Sequence, residues 1–448
     1  MNLLMVLSVL ARRRALRGHE RWSRERLLAY QARQLDRARA FAYARSPFYR
    51  EHHRGLERAP LAALPPLSKK TLMGRFDDVV TDRSLRRADV EAYLATLRDN
   101  ARLGGRYWVS STSGSSGLKC LVPSTDAEWA SVIAGYARAN EWAGVRAGLT
   151  RRTTMAVVSS ASAWHQSSRV AATVQSPFVR NVRFDAAAPL GEVAAGLDAL
   201  QPEVLVAYAS MLRVLAEEQL RGRLHIRPRA VNCSSEVLTG EARALATRAW
   251  GVAPFNVYAA TETGGIGAEC RLHTGLHVFE DLVVIEPVDE HDRPVPDGVA
   301  GDKLLVSVLS ARTLPLLRYE LTDRVRLATR TCPCGLPFRL IEAVEGRTDD
   351  LLQLPGRDGG TITVHPIAVH RALDDVAAGG WQVREEQDRL RVLIARPGAG
   401  FSGERVAASL AAALEAAGAA PVGVSVEVVD DIPAGAAGKR PLVVARRR

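Results

Sequence analysis

Apolar positions recur at helical spacing near the N-terminus. Leu28, Ala32, Leu35, Ala38 and Ala42 follow at steps of four and three, which gives one apolar helix face, and Pro47 ends the pattern. Met1 to Ala11 is an apolar run followed by Arg12 to Arg14 and too short to span a bilayer; it predicts the start of a helix that packs on the protein or grazes a membrane. From Tyr107 to about Leu340 short apolar runs alternate with helical stretches. Met155 to Val158, Val204 to Ala207 and Ala230 to Cys233 have buried-strand length, while Met211 to Leu220 and Gly240 to Trp250 carry helical patterns. Such alternation predicts α/β layers with a mainly parallel sheet. Between Leu282 and Leu327 strands and turns take over, punctuated by Pro294, Pro296 and Gly298, which predicts a small β subdomain. After Gly346 a helix at about Gly403 to Ala417 stands among strands at Leu390 to Ala395 and Val424 to Val429, an α+β pattern. The expected organisation is α/β: a large N-terminal region over 1–345, with its β subdomain at about 280–345, and a small α+β lid over 346–448. There is no internal repeat, and the Ala/Gly-rich Ala411 to Ala420 reads as helix plus turn.

Length and charge narrow the function classes. A chain of 448 residues exceeds one ordinary core and fits two or three domains, and 47% apolar with 24% charged residues is ordinary for a soluble globular protein. The net charge of +11 comes from scattered arginines with runs at the two ends. No basic stripe interleaved with aromatics accompanies it, so the charge argues for a solvated surface and a phosphate-bearing ligand, with no nucleic-acid partner. Five cysteines in so long a chain make no disulfide framework and point to a reducing cytoplasm.

Candidate chemistry begins at Ser111, where the chain reads S-T-S-G-S-S-G-L-K up to Lys119. Glycines let backbone N–H groups approach an oligophosphate, the hydroxyls add donors, and the lysine adds charge. It is not a P-loop of the G-x-x-x-x-G-K-[ST] kind, because Leu118 separates Gly117 from Lys119 and Cys120 replaces the magnesium-binding hydroxyl. Four more segments follow in order: Tyr258-Ala259-Ala260-Thr261-Glu262, Tyr319-Glu320-Leu321-Thr322-Asp323, Gly346-Arg347-Thr348-Asp349-Asp350, and Gly438-Lys439. The five together resemble the adenylate-forming superfamily of acyl-CoA synthetases, adenylation domains and luciferases. Ser46-Pro47-Phe48-Tyr49-Arg50, Leu64-Pro65-Pro66-Leu67-Ser68-Lys69 and Gly275-Leu276-His277-Val278-Phe279-Glu280-Asp281 are similar to its phenylacetate-CoA ligase and CapK-like branch. The resemblance runs from about Ser46 to Lys439.

It implies ATP-dependent, AMP-forming activation of a small carboxylic acid, with Mg2+ and with CoA or a carrier-protein thiol as acceptor. The implied roles are specific. Thr112, Ser113, Gly114, Ser115, Ser116, Gly117 and Lys119 would hold the β- and γ-phosphates. Tyr258, with Ala259 beside it, would stack on adenine, Thr261 would meet the α-phosphate, and Glu262 would ligate magnesium. Ser235 and Glu236 stand where the branch lines the adenine pocket with a Gly-Glu or Ala-Glu pair. Asp323 would bind the ribose hydroxyls, although the usual Tyr-Arg-Thr-Gly-Asp is altered around it. Arg347 would reach ribose or phosphate, Asp349 would mark the hinge, and Lys439 would bridge carboxylate and α-phosphate. His165 falls near the acyl pocket. After the hinge, Gly356-Arg357-Asp358-Gly359-Gly360 replaces the branch's Asn-Val-Phe-Pro-like run, so adenylation is better supported than CoA use. Two rivals stay open: adenylyl transfer without a thioester, as in coenzyme F390 synthetases, and a nucleotide-binding module that has lost catalysis.

A second constellation stands apart from these motifs. Cys270, His277, Cys332 and Cys334 offer three thiolates and one imidazole, a closed tetrahedral zinc set from two separated segments, with His273 as the competing imidazole. Buried free cysteines are the alternative.

Overall fold

The apolar runs of the middle third become strands of one large sheet. The structure, a computed structural model, describes all residues except 1–2, 113–117, 146–151, 177, 237, 239, 346–351, 365, 374–375, 388, 431, 433–442 and 447–448. Among the described residues the sheet has nine strands in the order Arg324–Leu327, Leu340–Glu345, Leu276–Val278, Gly264–Glu269, Phe255–Ala260, Ala230–Ser234, Val204–Tyr208, Thr153–Ser159 and Val179–Asp185. The last five named are mutually parallel. Within this sheet every pairing from Gly264–Glu269 onward is antiparallel. The expected mainly parallel sheet is therefore half of the observed one. The cause is local: only Thr261 to Thr263 joins Phe255–Ala260 to Gly264–Glu269, and a parallel crossover needs roughly a dozen residues.

Helices Leu190–Leu200 and Ala209–Leu220 cover the parallel half, with Leu197, Leu212 and Leu215 packed on Val158, Leu205 and Val231. A second, three-stranded antiparallel sheet of Val283–Val288, Lys303–Val308 and Tyr319–Leu321 packs with Leu67, Leu72 and Phe76 from the N-terminal segments. Arg324–Leu327 and Leu340–Glu345 belong to the large sheet and not to this smaller one.

The N-terminal apolar run forms helix Leu3–His19, and Met5 and Val9 pack on Trp129, Ala130 and Ile133 of helix Asp126–Trp142. No described helix is long and apolar enough to cross a membrane. In helix Arg24–Arg45, Leu27 is buried and Leu28 exposed, one position off the expected stripe. Eleven residues make about three turns, so Leu27 aligns with Ala38. Ser46 caps that helix, and Pro47 opens the next, Pro47–His52, at a position where its missing N–H costs nothing. Beyond residue 351, helices Pro366–Leu373 and Gly403–Ala416 pack on a sheet ordered Gly423–Val429, Arg389–Pro397, Ala378–Glu385 and Val443–Val444, the α+β pattern expected.

Candidate active site

Three separate segments build the strand that carries Tyr319. Tyr49 Oη donates to the Pro315 carbonyl at 2.9 Å and accepts the Leu317 N–H at 3.1 Å. Arg318 sits in left-handed conformation at φ 50°, strained for a residue with a Cβ. Its buried guanidinium bonds the carbonyls of Leu64 and, at 3.2 Å, Asp292. Leu67 donates to Arg318 O and accepts from Glu320 N, both at 3.0 Å, so the Leu64 to Ser68 segment runs alongside Tyr319. Ser68 then caps helix Lys69–Gly74, accepting the Thr71 N–H at 3.1 Å. Lys69, the first residue of that helix, lies 3.4 Å from Glu262.

Glu262 is buried on the turn after Phe255–Ala260. Its Oε1 accepts the Tyr319 hydroxyl at 2.9 Å and lies 3.4 Å from Lys69 Nζ. Burial raises the pKa of Tyr319, and the Glu262 charge adds to it; the same two causes, in the same order, raise that of Cys120. Both groups are thus neutral, and Cys120 is an inert thiol with no nucleophilic role. Sequence reasoning assigned no role to Lys69 or Tyr319. The Ser68 cap just before Lys69 was the available signal, but it marks a helix start wherever it occurs.

Tyr258, on the strand leading to Glu262, donates to Asp323 Oδ2 at 3.1 Å. The pairing register shifts between Tyr258 and Ala259, with Ile266 the extra residue on the partner strand. The structure thus brings together Tyr258, Asp323, Glu262 and, through the Tyr319 strand, Lys69. Gln166 Nε2 donates to Thr261 O at 2.9 Å, and its Oε1 accepts Tyr136 Oη at 3.0 Å. A cavity of about 50 Å3 opens here, lined by Glu128, Ser131, Gln166, Thr261 and Glu262 among others.

Thr112 Oγ1 accepts the Cys120 N–H at 2.9 Å, tying the two ends of the serine–glycine loop together. Lys119 Nζ lies 4.9 Å from the Trp164 ring centre, and Trp164 stacks on His165 at 4.2 Å. Burial, then the Lys119 charge, pushes His165 down to about 4, so it is a neutral imidazole at pH 7. Ser235, left-handed at φ 73°, and Glu236 follow the strand Ala230–Ser234. Ser160, Ser235 and Thr261 all follow carboxyl ends of parallel strands, where open α/β sheets bind their ligands. Ser113, Gly114, Ser115, Ser116, Gly117, Arg347, Asp349 and Lys439 lie outside the described residues. Away from this site, Cys270, His277, Cys332 and Cys334 converge, while His273 turns to Glu269 at 2.9 Å.

No family model matches the chain. It is 32% identical over 183 residues to the phenylacetate-coenzyme A ligase of Thermus thermophilus, covering 39% of each chain. The corresponding Escherichia coli enzyme is 34% identical over 113 residues, 24% of this chain and 25% of that one. The chain thus spans about two fifths and one quarter of the length of these curated relatives. A crystal structure of 2-hydroxyisobutyryl-CoA ligase in complex with 2-HIB-AMP and CoA superposes with a TM-score of 0.63 at 17% identity, covering 96% of this chain and 92% of that one. The chain shares the fold of that ligase. The resemblance to the phenylacetate-CoA ligase branch is borne out by these homologues over the stretches they match, and in this structure Tyr258 meets Asp323.

Proposed function

We propose that this chain activates a small carboxylic acid with ATP and passes the acyl group to CoA. In the first half-reaction a carboxylate oxygen attacks the α-phosphorus, a new P–O bond forms, and the bond to the β-phosphate breaks to release pyrophosphate. In the second, the CoA sulfur, its proton lost to solvent, attacks the acyl carbon and AMP leaves. The carboxylate is already ionised at neutral pH, so no general base is needed; the work lies in bringing two anions together.

The observation that carries the reading is the buried Glu262 on the turn after Tyr258, held through Oε1 by Tyr319 and Lys69. Among the described residues both of its polar partners lie on Oε1, which leaves Oε2 as a hard oxygen donor of the kind magnesium takes. Magnesium bound there would neutralise charge on the phosphates. Tyr258 and Asp323 would flank adenine and ribose, Thr112 and Lys119 the phosphates, and Arg347, Asp349 and Lys439 would act from the C-terminal lid. His165, beside Trp164, would border the acid. Support for CoA comes from the phenylacetate-CoA ligase relatives and from the fold neighbour that holds 2-HIB-AMP with CoA. A carrier-protein thiol is the other acceptor this chemistry serves. The five free cysteines suit a reducing cytoplasm.

One observation favours the rival without a thioester. Where the branch carries its Asn-Val-Phe-Pro-like run, Gly356 to Gly360 close a tight turn between strands Leu352–Pro355 and Thr361–Val364, with Gly356 N bonded to Gly360 O at 2.7 Å. Pyrophosphate release from MgATP over a panel of aryl, aliphatic and hydroxy acids, with and without CoA, separates the two. Release without CoA that accelerates with it, with acyl-CoA as product, is expected. Release that ends in an adenylylated product indifferent to thiol would establish the rival, and ATP binding with no release from any acid would sink both.

A further inference from the structure

Outside the nucleotide site, four soft ligands from three elements meet at one point. Cys270 follows the strand Gly264–Glu269, His277 lies in the strand Leu276–Val278, and Cys332 and Cys334 lie in the loop between Arg324–Leu327 and Leu340–Glu345. Their ligand atoms all fall within 4.8 Å of one another. Cys270 Sγ is 3.7 Å from Cys332 Sγ, and Cys334 Sγ is 3.3 Å from His277 Nε2. A tetrahedral ion with sulfur at ~2.3 Å and nitrogen at ~2.0 Å sets S–S edges of ~3.8 Å and S–N edges of ~3.5 Å. The observed pairs lie close to both. A disulfide needs sulfurs ~2.05 Å apart, which these are not.

We propose that Cys270, His277, Cys332 and Cys334 form a closed, structural zinc site that staples the 328–339 loop to the large sheet. Three thiolates and one imidazole match zinc's preference, and four protein ligands leave no open position for catalysis. The surroundings select the ligands. His273, three residues after Cys270, is held instead by Glu269 at 2.9 Å and Arg243 at 3.1 Å. His277 is fully buried, with Trp142 edge-on at 5.7 Å. Thr274 Oγ1 lies 3.2 Å from Cys332 Sγ, an outer hydrogen bond of the sort that orients a ligating thiolate. Arg330 reaches Thr274 O at 2.8 Å and braces the same loop from outside. Gly275 admits this closure: a Cβ there would stand 2.8 Å from Ile341 O. Binding releases the three thiol protons to solvent, so occupancy falls in acid.

The staple has a consequence for the sheet. The strand after Asp323 is Arg324–Leu327, and the zinc would hold the loop that joins it to its antiparallel neighbour. The test is elemental analysis of the full chain purified from zinc-supplemented medium. About one zinc per chain is expected. Cys334→Ser should lower the content at least about tenfold, while His273→Ala keeps it. Should the serine variant fail to fold, the wild-type protein still decides: a mercurial thiol reagent should release zinc in step with modification of three cysteines, and strong chelation should lower its Tm. Wild-type protein without zinc, zinc retained in Cys334→Ser, or zinc lost in His273→Ala but not in His277→Ala would each overturn the assignment.

Discussion

Tyr319 shows how one hydroxyl fixes the charge at the centre of the site. It is buried, un-ionised, and donates to the Glu262 carboxylate, with Lys69 beside the same oxygen. A hydrogen bond to a charged group is worth ~1.5–3 kcal/mol, or ~10–100-fold in rate if it is needed at the transition state. Tyr319→Phe keeps the ring and its packing and should lower kcat/KM for ATP by that factor while leaving the unfolding midpoint nearly in place. An unchanged kcat/KM would mean that Glu262 is held well enough by Lys69 alone. Glu262 itself was legible because Tyr258 to Glu262 stands in order with four other motifs. Tyr319 stood in a quoted motif without a role, and Lys69 in a branch marker without one. A contact across 57 residues depends on strand pairing, which a linear motif does not encode. The left-handed backbone at Ser235 and Arg318 was equally invisible, since φ is a property of the assembled backbone.

At the scale of elements, Gly275 to Asp281 is a clamp. Glu280 takes Arg24 at 2.8 Å and the Arg339 N–H at 2.8 Å. Asp281 takes Arg138 at 2.8 Å and 2.5 Å and His19 at 2.7 Å, which ties helices Leu3–His19 and Asp126–Trp142 to the sheet. Burial alone would raise the Asp281 pKa, but the Arg138 charge and the bonds from Arg138 and His19 outweigh it and bring it to about 2. Because the folded pKa is depressed, its stabilisation is present above pH ~4 and is lost as pH falls from ~4 towards 2. Asp281→Asn leaves buried Arg138 with the more distant Glu20, at 3.5 Å, as its counter-charge and should cost ~3 kcal/mol in urea unfolding at pH 7. The gap between variant and wild type should narrow below pH ~4. A gap under ~1 kcal/mol at neutral pH would show the clamp to be dispensable. The sequence offered this segment as a family marker and, through His277, as a candidate zinc ligand, but gave no role to Glu280 or Asp281. Three central strands of the parallel half were legible because burial on both faces makes continuous apolar runs, whereas Val179–Asp185 and Phe255–Ala260, only partly buried, were not. The antiparallel half was not, since Gly264 to Glu269 is glycine-rich and shows no strand pattern: a Cβ at Gly267 would meet His277 O at 2.8 Å.

For the whole molecule, the proposed chemistry demands two environments in sequence. Adenylation must offset repulsion between a carboxylate and a phosphate, so it needs a cation between them. Thioester formation has a neutral acyl carbon as its target and needs access for the thiol instead. By the resemblance, Lys439, in its glycine-rich approach, would be the cation of the first step. Lys439→Ala should therefore lower pyrophosphate release from acid and MgATP by at least ~100-fold, the scale of losing one preorganised group at a developing charge. ATP affinity, set by Tyr258, Asp323 and the Ser111 to Lys119 loop in this reading, should stay within about twofold, because a transition-state contact adds little to ground-state binding. Conversion of chemically prepared acyl-adenylate plus CoA should also persist in the variant. Full adenylation without Lys439 would remove the lid from the first half-reaction. Loss of both halves together would instead mean that one lid position serves both, with the tight Gly356 to Gly360 turn as the next place to look for the thiol's path.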